Sequence, residues 1–139
     1  EHQNRLAAAQ SLFERFGFPL IVREGYEMMA YFRAVVGKEG SRCPECYRMR
    51  LERTARTAAE KGFPRFTTTL LISPYQNQAA IQEIGMEMAR RNGVEFYYHD
   101  FTDGFRESQQ MARELDLYRQ KYCGCLYSEW ERFGKVKVQ

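Results

Sequence analysis

The feature that most constrains the fold is a repeated pairing of apolar run and helical pattern in the middle of the chain. Residues 66–72, Phe-Thr-Thr-Thr-Leu-Leu-Ile, combine threonine with aliphatic side chains and predict a strand. Ser73-Pro74 then opens a helical pattern to about Arg91, because proline fits the first turn of a helix. Asn92-Gly93 ends it, and Val94 to Asp100 predicts another strand. The flanks follow the same alternation. Leu6, Ala9, Leu12, Phe13 and Phe16 fall at helical spacing over residues 4–16, and Gly17 stops that helix. Pro19 to Val22 reads as a short buried strand. Residues 26–36 and 44–61 read as helices separated by the loop 37–41. Residues 105–115 form a further helix, 118–133 an irregular aromatic segment, and 134–139 a frayed tail. The order implies an α/β fold of parallel strands with covering helices. Ligands in such sheets bind beyond the carboxyl ends of the strands. Ser73-Pro74-Tyr75-Gln76 and His99-Asp100-Phe101 occupy those positions.

At 139 residues the chain is long enough to bury a core, and residues 1–133 are expected to form a single domain. No apolar run approaches the roughly 18 residues of a membrane helix. Residues 1–17 are charged and helix-patterned, unlike a signal peptide. The first residue is Glu1, not Met, which suggests a processed or partial chain.

The net charge of +3 does not by itself argue for nucleic acid, but its distribution is informative. Residues 42–65 carry +4 and residues 105–139 carry +2, while residues 66–104 carry −3. The two positive segments are the two that contain cysteine.

The four cysteines form two close pairs, Cys43-Pro44-Glu45-Cys46 and Cys123-Gly124-Cys125. In a chain of this kind paired cysteines point to metal or redox chemistry rather than to a disulfide scaffold. The first pair sits at the start of a helix, where backbone N–H groups and the dipole stabilise thiolate. Two thiolates three residues apart ligate one metal ion or one cluster, or work as a dithiol. One residue separates the second pair, so a disulfide there would be strained and easily reduced, and a metal is the alternative. The spacing between the pairs argues against a zinc ribbon.

On the helix 44–61, Arg48–Glu52, Glu52–Arg56 and Arg56–Glu60 are i,i+4 pairs, an ordinary surface pattern. Arg50 and Arg53 lack such partners and share the face of Cys46, a placement suited to an anionic substrate. Asp100, closing a strand, is a candidate for metal ligation or proton transfer; His99 has an ordinary structural reading. Tyr75, Tyr118 and Tyr122 are candidates for stacking on a nucleobase.

Four strings in one order carry a family resemblance: Cys43-Pro-Glu-Cys-Tyr-Arg-Met-Arg-Leu51, Phe66-Thr-Thr-Thr-Leu-Leu-Ile-Ser-Pro-Tyr-Gln76, Asp100-Phe101 with Gly104-Phe-Arg-Glu-Ser-Gln-Gln-Met-Ala-Arg113, and Tyr118-Arg-Gln-Lys-Tyr-Cys-Gly-Cys-Leu-Tyr-Ser128. Over residues 3–133 the chain resembles the QueH family of cobalamin-independent epoxyqueuosine reductases. The resemblance implies reduction of epoxyqueuosine to queuosine at the wobble position of transfer RNA, the last step of queuosine biosynthesis, in the cytoplasm. It implies a Rossmann-like parallel sheet of the PP-loop/HUP kind, flanked by helices, with an irregular cysteine-containing C-terminal segment. It also implies a 4Fe-4S cluster with Cys43 and Cys46 among its ligands, and a redox-active pair in Cys123 and Cys125. An additional iron held by that second pair is the competing assignment. Arg50, Arg53, Arg106, Arg119 and Lys121, with Tyr75, become the candidates for substrate contact, and an electron donor that the sequence does not identify is needed. Family members usually open with a strand, an adjacent Cys-Cys pair and a second strand. This chain begins after those features, so the remaining cluster ligands and the N-terminal strands are expected to be missing from it. The rival readings are a zinc-binding RNA-binding module without catalysis, and a thiol–disulfide oxidoreductase using Cys43 and Cys46.

Overall fold

The structure, a computed structural model, describes residues 1–23, 25 and 27–134. From residue 135 onward the expected tail lies outside the described residues. The helices are α1 (His2–Phe16), α2 (Met28–Val35), α3 (Cys43–Glu60), α4 (Gln78–Asn92), α5 (Phe105–Glu114) and α6 (Leu126–Phe133); two short strands, β1 (Arg65–Phe66) and β2 (Glu95–Phe96), flank α4. The chain divides into two compact units. One runs from Tyr26 to Phe105, and the other combines Glu1–Gly25 with the segment from Arg106 onward.

The first of these units holds the buried core. Tyr47, Leu51, Ala55 and Ala58 recur at helical spacing on α3 and meet Ile81, Ile84, Met88 and Ala89 of α4, with Phe66 and Leu71 between them. Leu51, Leu71, Ile81 and Met88 are among the largest fully buried side chains. Complete burial of each stabilises the fold by roughly 1.5–3 kcal/mol relative to exposure. Strands β1 and β2 pair in parallel, with Arg65 opposite Glu95 and Phe66 opposite Phe96. The Phe66 and Phe96 rings touch at 5.1 Å between centroids. Helix α4 comes so close to β2 that a Cβ at Gly85 would lie 2.4 Å from the Phe96 ring.

The parallel strands and the covering helices agree with expectation; the lengths of the strands do not. The predicted strand 66–72 pairs only over Arg65–Phe66, and Thr69–Ile72 winds into a 3₁₀ turn. The cause is local. Thr68 Oγ1 accepts the Leu70 N–H at 3.3 Å, so the threonine side chain competes with the ladder. The turn also places Leu71 fully in the core. Val94–Asp100 likewise pairs only at Glu95–Phe96. The helix expected to open at Pro74 starts at Gln78, because Asn77 caps it: its side chain accepts the Ala80 N–H at 3.0 Å.

The second unit has a different construction. None of α1, α5 and α6 contains a buried residue. Leu20, Ile21 and Val22, expected in a buried strand, are exposed and irregular. Aromatic contacts gather locally: Phe18 packs against Phe13 and Phe16, and Tyr122 meets Phe133 edge-on at 6.0 Å. Residues 126–133 are helical rather than irregular. Leu126, Trp130 and Phe133 repeat at helical spacing, and Gly134 closes the helix with its N–H on the Trp130 carbonyl at 2.7 Å.

Candidate active site

Cys43 and Cys46 lie in the first turn of α3, and Pro44 there fits a position that needs no intrahelical N–H. Cys43 is exposed and Cys46 half-buried. Within the motif, Glu45 turns to Lys38 at 2.8 Å. That hydrogen bond holds the Glu45 carboxyl below its ordinary value and sets a cation against the acid next to the sulfurs. Tyr47 anchors the turn from the buried side. Its hydroxyl donates to Gln76 Oε1 at 2.9 Å and accepts the Asn77 N–H at 3.2 Å. The cysteine turn is thereby bonded to the segment that follows β1.

Of the two segments expected beyond the strand ends, the one at 99–101 meets the end of the 66–72 stretch rather than residues 73–76. Phe101 N–H donates to the Leu71 carbonyl at 3.3 Å. A hollow of about 220 Å³ opens there, lined by Thr67, Thr68, Thr69, Ile72 and Phe101. Thr67 Oγ1 fixes one wall by donating to the Tyr97 carbonyl at 2.8 Å. Asp100 is exposed and accepts the Thr102 N–H at 2.9 Å. This bond, joined by one from the Thr102 side chain, lowers the Asp100 pKa and keeps it a carboxylate. In this arrangement Asp100 suits an acceptor or ligand role better than that of a proton donor. Tyr75 is 82% exposed and meets Phe105 edge-on.

The arginines of α3 separate. Arg50 is exposed. Arg53 pairs with Glu27, a long-range partner that i,i+4 counting does not reveal. Arg56 pairs with Glu52 as expected, but Arg48 reaches across to Glu87 of α4 at 2.5 Å. That contact raises the Arg48 pKa and lowers that of Glu87, its hydrogen bond being the largest cause of both shifts.

Cys123 and Cys125 belong to the other unit, where α6 begins. Cys125 is the N-cap of α6, and its Sγ accepts the Ser128 N–H at 3.3 Å. Gly124 sits at φ +100°, a backbone conformation that L side chains rarely adopt. The Arg5 guanidinium of α1 donates through Nη2 to the Tyr122 carbonyl at 2.7 Å and through Nη1 to the Cys123 carbonyl at 3.0 Å. Glu1 pairs with the same guanidinium and accepts the Tyr118 hydroxyl at 2.5 Å. Arg106, Arg119 and Lys121 are exposed in this unit.

Sulfur donors one helical turn apart suit iron or zinc. Among the described residues no group of three or more His, Cys, Asp or Glu side chains converges to hold a metal ion. Cys43 and Cys46 offer two sulfur donors in the first turn of α3.

The model of the family described as epoxyqueuosine reductase QueH matches residues 1–131. The chain belongs to the QueH family. A QueH epoxyqueuosine reductase from Dehalococcoides mccartyi is 43% identical over 135 residues, covering 97% of this chain and 74% of the relative. One from Thermotoga maritima is 36% identical over 146 residues, covering 97% and 75%. A third, from Streptococcus pyogenes, is 39% identical over 105 residues, covering 70% and 41%. Within this QueH chain, sequence reasoning did not single out two residues that build the site. Tyr47 had a signal, since it begins the apolar stripe Tyr47–Leu51–Ala55–Ala58; the use of its hydroxyl had none. Arg5 had no signal, being 118 residues from the carbonyl of Cys123 that it holds. Among the described residues no helix is long and apolar enough to cross a membrane.

Proposed function

We propose that this protein reduces epoxyqueuosine to queuosine at the wobble position of transfer RNA in the cytoplasm, as the last step of queuosine biosynthesis. The family match across residues 1–131 carries this reading. In the reaction both C–O bonds of the epoxide break and a C=C bond forms. The oxygen leaves as water, taking up two electrons and two protons.

The Cys123/Cys125 dithiol would deliver those two electrons and two protons and become a disulfide. An external donor, outside what the chain identifies, must then return two electrons. Cys43 and Cys46 would hold a 4Fe-4S cluster, which when bound supplies one-electron transfer and Lewis-acid iron. An additional iron held by the second pair is the competing use of those sulfurs. The Lys38–Glu45 pair and the Tyr47 hydroxyl keep the first cysteine turn in place. Asp100, as a carboxylate, would accept a hydrogen bond from substrate or ligate metal. Arg50, Arg106, Arg119 and Lys121 would meet anticodon phosphates, and Tyr75 a base face. Arg53 would do so only by giving up Glu27. The parallel strands and their covering helices would belong to a Rossmann-like catalytic domain of the PP-loop/HUP kind.

The test, made with the full-length parent protein because this chain alone is expected to lack ligands that an active cluster needs, is turnover of transfer RNA that carries epoxyqueuosine, read by mass spectrometry as loss of one oxygen from the nucleoside. Cys46→Ser is expected to remove the brown colour of anaerobically prepared protein and with it turnover. Cys125→Ser is expected to remove turnover and leave the colour. Undiminished turnover in Cys125→Ser eliminates the dithiol role, and colourless active protein eliminates the cluster.

A further inference from the structure

The side chain of Arg5 holds the start of the Cys123-Gly124-Cys125 turn. Arg5 spends both terminal nitrogens on the two carbonyls that precede Gly124, at 2.7 and 3.0 Å. The Tyr122 ring lies 5.7 Å from the same guanidinium, so the plane is fixed by a face contact as well as by two hydrogen bonds. Gly124 is shaped to this arrangement. A Cβ there would lie 2.6 Å from Arg5 Nη1, on a residue already at φ +100°. One residue further on, Cys125 Sγ is engaged by the Ser128 N–H, so the sulfur is turned toward the first turn of α6.

We propose that Arg5 is a positioning residue for the Cys123/Cys125 pair, clamping the turn in its dithiol conformation and thereby making the disulfide harder to form. This rests on the reading of Cys123 and Cys125 as a redox pair. The physical argument is a competition between two geometries. A disulfide needs the two Cβ atoms about 3.8 Å apart and a dihedral near 90°, and across a single glycine it closes a very small, strained ring that pulls on the backbone of the turn. That movement must loosen the guanidinium clamp and draw Cys125 Sγ away from its capping position. Both contacts belong to the reduced form, so both raise the reduction potential of the couple. Oxidation breaks two S–H bonds and forms one S–S bond, releasing two electrons and two protons. In the test below the oxidant is a cyclic dithiol disulfide.

The experiment measures the dithiol–disulfide equilibrium of the complete chain in buffers of oxidised and reduced dithiothreitol, trapping thiols by alkylation and weighing the peptide that carries Cys123 and Cys125. Arg5→Ala is expected to favour the disulfide by about tenfold, or about 30 mV for a two-electron couple. Arg5→Lys keeps the charge but loses the planar fork, and is expected to recover only part of that shift. Gly124→Ala, which pushes on the clamp from the other side, is expected to move the equilibrium in the same direction as Arg5→Ala. If Arg5→Ala does not fold, as judged by circular dichroism, Arg5→Lys and Gly124→Ala carry the test. An equilibrium unchanged in the folded variants overturns the proposal. A full return of the wild-type value in Arg5→Lys also overturns it, since charge alone would then account for the effect. Failure of the underlying reading is separable: Cys125→Ser would keep full turnover while the Arg5 variants still shifted the equilibrium.

Discussion

The two compact units solve the same problem by different means. The unit from Tyr26 to Phe105 is built around apolar burial, with α3 and α4 closing on Leu51, Leu71, Ile81 and Met88. The unit made of the two chain ends has no buried residue in any of its helices and relies on aromatic contacts, on Arg5 and on the Glu1–Tyr118 bond. Each unit carries one cysteine pair. The pair at 43 and 46 sits on a helix whose other face is core, a base that apolar packing holds in place. The pair at 123 and 125 sits on a turn held by polar contacts, and polar contacts can be exchanged during a reaction at less cost than a core can be opened.

The sharpest way to break this comparison is to remove side chains from each unit in turn. Ile81→Ala is expected to cost about 3 kcal/mol, through lost burial and the cavity it leaves. Phe13→Ala, which forfeits mainly an aromatic contact with Phe18, is expected to cost about 1 kcal/mol. Denaturant titration measures both, and equal losses would mean that the second unit has a core after all. Tyr47→Phe tests the tie between the cysteine turn and the 76–77 segment. It removes the donor to Gln76 and the acceptor for Asn77, and is expected to cost about 1–2 kcal/mol. Amide exchange at Asn77 should quicken in that variant while exchange in the middle of α4 stays slow.

The smallest effect concerns Glu87, whose folded pKa is lowered first by its hydrogen bond to Arg48. Because the folded value lies below the ordinary 4.5, the contribution is present above that pH and is lost as pH falls through the folded value. Glu87→Gln is therefore expected to lower the denaturation midpoint slightly at neutral pH and to match wild type in acid below the folded value. A difference that persists in acid would show that Glu87 acts by packing instead.

Much of this was legible in the sequence, for identifiable reasons. Helices α1, α3, α4 and α5 follow from apolar residues at helical spacing, and the parallel pairing of β1 with β2 follows from their order along the chain. The strand lengths were not legible, because threonines 67–69 score as strand formers while Thr68 instead bonds within a turn. Val22 and its neighbours show that an apolar run does not reveal whether anything covers it. At the candidate site, Asp100 and Phe101 lie past the carboxyl end of β2, where the strand order placed them. The polar partners Glu27 of Arg53, Glu87 of Arg48 and Arg5 of the second cysteine turn are long-range in sequence, and no local pattern encodes them.

The phenol at residue 47 has a mechanical consequence. Its oxygen is tethered on both sides, one bond fixing where its hydrogen points and the other where its lone pair points. The stiffness of the stretch around Asn77 is thus lent to a sulfur one residue away from the ring-bearing position. The turn that carries Cys46 and the stretch around Asn77 are therefore joined through one oxygen atom, and a shift of either would strain two bonds at once.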